Sequence, residues 1–357
     1  MNLDDLKIYK KLDTGRVGEA MESLPDQMRQ VLEEARLIKV PAEYSRVTQV
    51  VLNGMGGSNI GAHILRSAFA DDIKVPITIT PGYSVPAHVN QNTLYIISSY
   101  SGTTEEPLSV YREVKKRGAK IMAISSDDPK SKLVKLMMKD DIPGYIFKPQ
   151  FNPSGQPRLG LGYSIFGIAT MIAKAGLFKI KVREIEDIIA SLEIWTRRLR
   201  PEAPTRVNAA KQIAQKICGR IPVLVAAEHL SGNAHAMRNQ INECSKSFAS
   251  FLELPDLNHY TMEGLVNPAS NRKNLAFLFF DSAFYHPRTQ KRSLLTKQVV
   301  KKNKVAVISY EMKGDKKLLQ NFELLQLGAW VSYYLGIAYK VNPATIPYVD
   351  WFKKMLK

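Results

Sequence analysis

The sequence predicts an α/β fold of parallel sheets flanked by helices, and three observations carry that prediction. Short β-rich runs alternate with amphipathic stretches of helical length from residue 48 to residue 139, the pattern of βαβ units. The alternation resumes after residue 221. The two stretches also echo each other at one offset: Val51-Leu52 returns as Val223-Leu224, Ala62-His63 as Ala234-His235, and Arg66 as Arg238. Read as a repeat, the echo makes the chain two copies of one doubly wound domain.

Residues 1–45 are polar and helical in pattern and are expected to be a leader packed on the first domain. Thr48–Asn53 is a strand, Gly54–Ser58 a glycine turn and Ile60–Phe69 a helix. Strands are expected at Val75–Thr80 and Thr93–Ser98. A hydroxyl-rich turn follows, then a helix over Thr104–Arg117 with Pro107 in its tolerant first turn. Ala119–Ser125 is the next strand and Asp127–Lys139 the next helix. Residues 148–160 are rich in Pro and Gly and read as a linker. Helices are expected at 161–176 and 182–199, and another before Cys218. Beyond them lie strand Ile221–Ala226, helix Gly232–Lys246 and strand Phe248–Leu252. Strands Leu275–Phe280 and Val305–Ser309 follow, with a basic helix between them, then a long helix over 317–337 and a tail after Pro343. The domains expected are therefore 46–150 and 201–357, with 151–200 as linker and helices.

The chain has 357 residues, 45% hydrophobic and 23% charged, which excludes a disordered chain, a collagen-like fibre or a coiled-coil rod. No apolar run reaches the roughly 18 residues of a membrane-spanning helix. The first residues, Met1-Asn2-Leu3-Asp4-Asp5, lack the apolar core of a secretory signal. Two cysteines, Cys218 and Cys244, make no disulfide framework, and a reducing cytoplasm is expected. Fifty Lys and Arg against 33 Asp and Glu give a net charge of +17. That excess fits nucleic acid, an anionic membrane or anionic small substrates. Its spread along the chain, without blocks interleaved with aromatics, argues for a generally basic surface; neither nucleic acid nor membrane is expected as a partner.

Four motifs carry chemistry. Gly54-Met55-Gly56-Gly57-Ser58 joins a strand to a helix, where backbone N–H groups can hold an anion. A tight turn without ligand explains it as well. Asn59 occupies the last glycine place of a dinucleotide fingerprint, and no acidic residue follows at the right distance, so no nicotinamide cofactor is expected. The second motif, Ser98-Ser99-Tyr100-Ser101-Gly102-Thr103-Thr104, offers five Ser and Thr hydroxyls in seven residues. One of them would satisfy helix capping; five suit a phosphate monoester. The Walker pattern is absent. In the third, Asn239-Gln240-Ile241-Asn242-Glu243-Cys244-Ser245-Lys246, Glu243 is either a general base or a solvated helix carboxylate. The fourth, Leu257-Asn258-His259, holds a histidine that is either an acid or base near neutrality or an ordinary loop residue. His229 and His235 are six apart with no third ligand in phase, so no metal site is expected.

Taken together and in order, these motifs resemble the bifunctional phosphoglucose/phosphomannose isomerase family of the sugar isomerase (SIS) superfamily. The resemblance covers roughly residues 45–357. It implies two SIS domains with the active site between them, in a homodimer that shares its sites. It further implies reversible conversion of glucose 6-phosphate, and of mannose 6-phosphate, to fructose 6-phosphate through an enediol, without cofactor, in glycolysis and gluconeogenesis. Gly57 and Ser58 match the turn that meets the sugar phosphate, and Ser99, Ser101 and Thr104 the phosphate-binding hydroxyls. Pro157-Arg158 and Gly160-Leu161-Gly162-Tyr163 are similar to the element whose arginine stabilises the enediolate. Glu243 matches the proton-shuttling base, and His259 the ring-opening histidine, commonly supplied by the second subunit. The tail Asn342–Lys353 resembles the family's terminal element, with Lys353 as its lysine and Lys354 beside it. The chain departs from the pattern at Thr103, at Cys244 beside the base, at Gln156 in place of a proline, and at Ala344-Thr345. Other readings are another SIS sugar-phosphate isomerase and a non-catalytic sugar-phosphate-binding regulator. The latter would need a DNA-binding domain that 45 leader residues hardly accommodate.

Overall fold

Apolar runs of strand length form two separate sheets whose strands all pair in parallel, the α/β class that the alternation predicts. The computed structural model describes residues 2–356. It divides into two compact units: residues 23–190, and the residues before and after them.

Three helices open the chain: α1 (Leu6–Leu12), α2 (Val17–Glu22) and α3 (Leu24–Glu34). The unit over 23–190 starts with α3 and continues through β1 (Gln49–Gly54), α4 (Gly56–Ala68), β2 (Ile77–Ile79) and β3 (Thr93–Ser98). Next come α5 (Glu105–Ser109), α6 (Tyr111–Lys116), β4 (Lys120–Ser126), α7 (Lys132–Asp140) and β5 (Gly144–Phe147). Helix α8 (Leu161–Lys174) follows, and α9 (Val182–Leu199) contains the division between the units. The strand order is β2-β1-β3-β4-β5. Strand β3 is buried throughout and β1 from Val50 onward, as befits strands covered on both faces. Val51, Tyr95, Ile97 and Ala123 pack there against Val110, Val114 and Leu133 from the flanking helices.

Several boundaries differ from those expected. Helix α4 begins at Gly56, so the glycine cluster is its first turn and not a loop ahead of it. The single helix expected over 104–117 is interrupted at Val110. Helix α7 starts late, after Ser131 caps it by accepting from the Val134 N–H at 3.0 Å. The Pro/Gly-rich segment is not slack. Buried Gln27 of α3 donates to the carbonyls of Phe151 (2.9 Å) and Leu159 (2.8 Å) and accepts from the Gly162 N–H (3.0 Å). Gln30 donates to the Lys148 carbonyl and accepts from the Tyr163 hydroxyl, both at 2.7 Å.

The second unit joins α1 and α2 to α10 (Ala209–Ile217), β6 (Ile221–Ala227), α11 (Ser231–Gln240) and β7 (Ser250–Leu254). It is completed by α12 (Asn271–Asn274), β8 (Leu275–Asp281), α13 (Pro287–Lys302), β9 (Ala306–Glu311), α14 (Lys317–Ala338) and α15 (Pro347–Met355). Its strand order, β7-β6-β8-β9, repeats the β2-β1-β3-β4 of the first sheet. The echoed residues fall on equivalent elements, β1 with β6 and α4 with α11.

Helix α14 is buried along nearly all its length, so its polar side chains need internal partners. Glu323 accepts from the Tyr310 hydroxyl (2.8 Å) and from the N–H groups of Lys313 (2.9 Å) and Gly314 (2.8 Å). Gln326 donates to Thr196 Oγ1 (2.9 Å) and the Met21 carbonyl (3.2 Å). Trp330 packs on Tyr333 and Tyr334, and Tyr9 of α1 stacks on Tyr333 at 5.9 Å. The fully buried Lys211 ammonium donates to the Pro201 carbonyl (2.7 Å) and to Asp4 (3.0 Å). The terminal tail is helical from Pro347, and no residue of α15 is buried. Among the described residues, no helix is long and apolar enough to cross a membrane.

Replacing Gln27 by Leu leaves two buried carbonyls and an N–H without their partner. Gln27→Leu is expected to lower the free energy of unfolding by about 3 kcal/mol, read from urea denaturation. An unchanged midpoint would mean that Gln27 does not hold the segment.

Candidate active site

In a sheet of order 2-1-3, the loops after strands 1 and 3 leave in opposite directions and open a crevice at the strands' carboxyl ends. Here that point lies between β1 and β3, whose last residues Gly54 and Ser98 pair directly. Both loop motifs of this unit start there. The Ser58 hydroxyl, buried at the start of α4, accepts from the Tyr100 N–H at 3.1 Å and ties one motif to the other. Ser99 is buried and donates to the Thr104 hydroxyl at 2.9 Å. Ser101 and Thr103 bond each other at 3.1 Å. Thr104 stands at the N-cap of α5, yet its side chain makes no capping bond. Capping therefore does not account for these hydroxyls.

The Pro157-Arg158 element joins the same cluster. A Cβ on Gly57 would lie 2.7 Å from the Pro157 carbonyl and 2.9 Å from the Arg158 nitrogen, so only glycine lets α4 start against that backbone. Arg158 is 2% exposed, and its Nη1 donates to Gln156 Oε1 at 2.9 Å. Gln156 thus holds the arginine. Tyr100 lies beneath this element: a Cβ on Gly160 would meet its ring at 2.4 Å. Burial pushes the Tyr100 hydroxyl up to about 12; it stays protonated and accepts from Asn152 Nδ2 at 2.8 Å.

In the other unit, α11 does not continue to Lys246 as an α-helix. Ile241–Ser245 form a π-turn with half-buried Glu243 at its centre. Such widened turns are frequent at functional sites. The Ser245 hydroxyl donates to the Ile241 carbonyl, and Asn242 Nδ2 donates to the carbonyls of Arg238 (2.8 Å) and Ala249 (3.3 Å). The second of these holds the turn beside the start of β7. One turn earlier, Arg238 bonds His235 Nε2 and Asn239, and burial pushes its guanidinium down. Cys244 is a buried free thiol and Cys218 an exposed one.

His259 ends a short turn, Asp256–His259, directly after β7. Asn258 fixes that turn to α13 by donating to Thr296 at 2.7 Å, and the His259 side chain is exposed. Glu243 and His259 therefore flank opposite ends of β7, about 17 Å of strand apart. Lys353 and Lys354 lie exposed in the last turn of α15. Within the first unit, then, the turn at Gly57 and Ser58, the hydroxyl loop with Ser99, Ser101 and Thr104, and the backbone of Arg158 meet beside the ends of β1 and β3. Within the second, Glu243 and His259 do not meet. Among the described residues, no cluster of His, Cys, Asp and Glu could hold a metal ion.

Comparison with known proteins places the chain in a family. Residues 206–356 match the family described as bacterial phospho-glucose isomerase C-terminal SIS domain. The chain is 33% identical over 95% of its length to a bifunctional phosphoglucose/phosphomannose isomerase of Caldicellulosiruptor bescii, covering 98% of that protein. It is 29% identical to the enzyme of the same name from Aquifex aeolicus, over 86% of this chain and 90% of that one. In fold it resembles a hypothetical protein of Thermus thermophilus, with a TM-score of 0.75 at 14% identity over 98% of this chain and 92% of that one. Extended over almost the whole of both chains, the first of these likenesses makes this protein a member of the bifunctional phosphoglucose/phosphomannose isomerase family.

Proposed function

We propose that this chain interconverts glucose 6-phosphate and fructose 6-phosphate, accepts mannose 6-phosphate as a second aldose, and works in the cytoplasm within glycolysis and gluconeogenesis. The curated relatives named as phosphoglucose/phosphomannose isomerases support this reading. The observation that carries it is the crevice at β1 and β3, where hydroxyls not spent on capping lie beside the backbone of a buried arginine.

The chemistry follows from the groups available. The hydroxyls of Ser99, Ser101 and Thr104, with the turn at Gly57 and Ser58, accommodate a phosphate dianion. Its binding energy, remote from the reacting carbons, positions the sugar. His259 and Lys353 move the protons that open the ring. Glu243 removes the proton from C2 of the aldose; the electron pair forms the C1–C2 double bond of an enediolate, and Arg158 neutralises its oxygen. A proton passes from O2 to O1 of the enediolate, Glu243 returns its proton to C1, and the electron pair of the double bond forms the new C1–H bond as the O2 oxyanion closes to the C2 carbonyl of the ketose. The step is redox-neutral within the sugar.

The separation of Glu243 and His259 along β7 favours a homodimer in which each histidine serves the partner's glutamate. The exposed apolar side chain of Tyr260, next to His259 in the chain, fits a covered surface.

Three outcomes are expected. Glu243→Gln lowers kcat by about 10³-fold or more in a coupled assay with either aldose phosphate; near wild-type turnover removes it as the base. Ser101→Ala combined with Thr104→Ala raises KM by about ten-fold or more, whereas an unchanged KM would put the phosphate elsewhere. Co-expressed Glu243→Gln and His259→Ala chains, each inactive alone, regain about a quarter of wild-type activity, since a mixed dimer keeps one intact site. No recovery on mixing would make each site the work of one chain.

A further inference from the structure

The turn that carries Glu243 is braced from two sides. On one side lies α14: a Cβ on Gly336 would stand 2.7 Å from the Cys244 carbonyl, so that helix touches the turn's own backbone. On the other side is Lys246. Its φ of +53° lies in the left-handed region, a conformation that a residue other than glycine keeps only where its surroundings hold it. The Lys246 ammonium donates to the Cys244 carbonyl at 3.4 Å and, more closely, to the Asn342 carbonyl at 2.5 Å. Asn342 opens the segment that leads into α15 and Lys353. That segment is anchored in turn: Asn342 Nδ2 donates to Thr14 Oγ1 at 2.8 Å, and its Oδ1 accepts from the Ala344 N–H at 2.9 Å.

We propose that Lys246 is a positioning residue for Glu243: its ammonium straps the π-turn to the segment bearing Lys353, so that the carboxylate meets the sugar carbons in one geometry. The inference rests on Glu243 being the proton-transfer base. A charged donor makes a hydrogen bond roughly twice as strong as a neutral one, so the strap has no neutral equivalent. Proton transfer also tolerates little displacement of the base. The lysine side chain is exposed, and its replacement leaves the packing of α14 intact.

The test uses the full-length chain. Lys246→Met is expected to fold as the wild type does and to lower kcat for glucose 6-phosphate by about ten- to a hundred-fold. Its KM should stay within about two-fold of wild type. Amide hydrogen exchange over residues 342–346 should quicken. Lys246→Arg, which retains a cationic donor, should recover most of the lost turnover. An unchanged kcat in Lys246→Met overturns the inference. So does a raised KM at constant kcat, which would make the ammonium a ligand of the substrate. A lowered kcat that arginine does not restore, with exchange unaltered, overturns it as well. Glu243→Gln separates the two claims. If it turns over normally, the base itself is misassigned; if it is inactive beside a fully active Lys246→Met, only the positioning role falls.

Discussion

Gly57 carries no side chain because the space is taken by the backbone of Pro157 and Arg158. That contact joins segments a hundred residues apart in sequence and fixes what the crevice contains. Helix α4 can start against the arginine turn only while position 57 lacks a Cβ. Arg158, out of water at 2% exposure, is then held by Gln156 on one side and the α4 start on the other. A charge buried in this way costs several kcal/mol unless compensated. It is the kind of group that stabilises a developing negative charge well, since no solvent reorganisation is needed. The glutamines of α3 act one layer further out, holding the backbone that holds the arginine.

Much of this is legible in the chain. Strand β3 can be read to the residue, and β1 within one position, because both are buried on two faces and appear as uninterrupted apolar runs. The two-domain reading rests on five echoed residues, which do lie on equivalent elements. Strand β5 is invisible in sequence: four residues behind Pro143 give too short a run for any periodicity. The π-turn is equally hidden. Gln240 to Ser245 satisfies a helical pattern, and only tertiary packing against α14 and the left-handed Lys246 widen it. That widening, with the reversal after it, also moves β7 two residues later than its β-rich run implies.

The site residues fare differently in the two halves. The hydroxyl loop can be read locally, since strand, loop and helix are consecutive and the sheet order places both loops at one edge. Arg158 can be named only through its motif, because nothing in residues 148–160 tells that α3 pins them. Glu243 and His259 are close in sequence, which invites the assumption that they share a site. A single intervening strand sets them at opposite ends. Lys246 stands in plain view beside Glu243, but its role depends on a carbonyl 96 residues further on, a pairing that no local pattern records.

The first helices of the chain complete the unit built from its last residues. Tyr9 stacks on Tyr333, Met21 accepts from Gln326, and Asp4 receives the ammonium of Lys211. During synthesis at roughly 5–20 residues per second, these first residues leave the ribosome tens of seconds before their partners exist. Residues 23–190 are complete in the interval, whereas the other unit closes only once α14 has been made. Ribosome stalling or early termination would therefore strand an orphaned amino terminus, and expressing the second unit alone as one continuous fragment would expose the face of α14 that α1 and α2 cover.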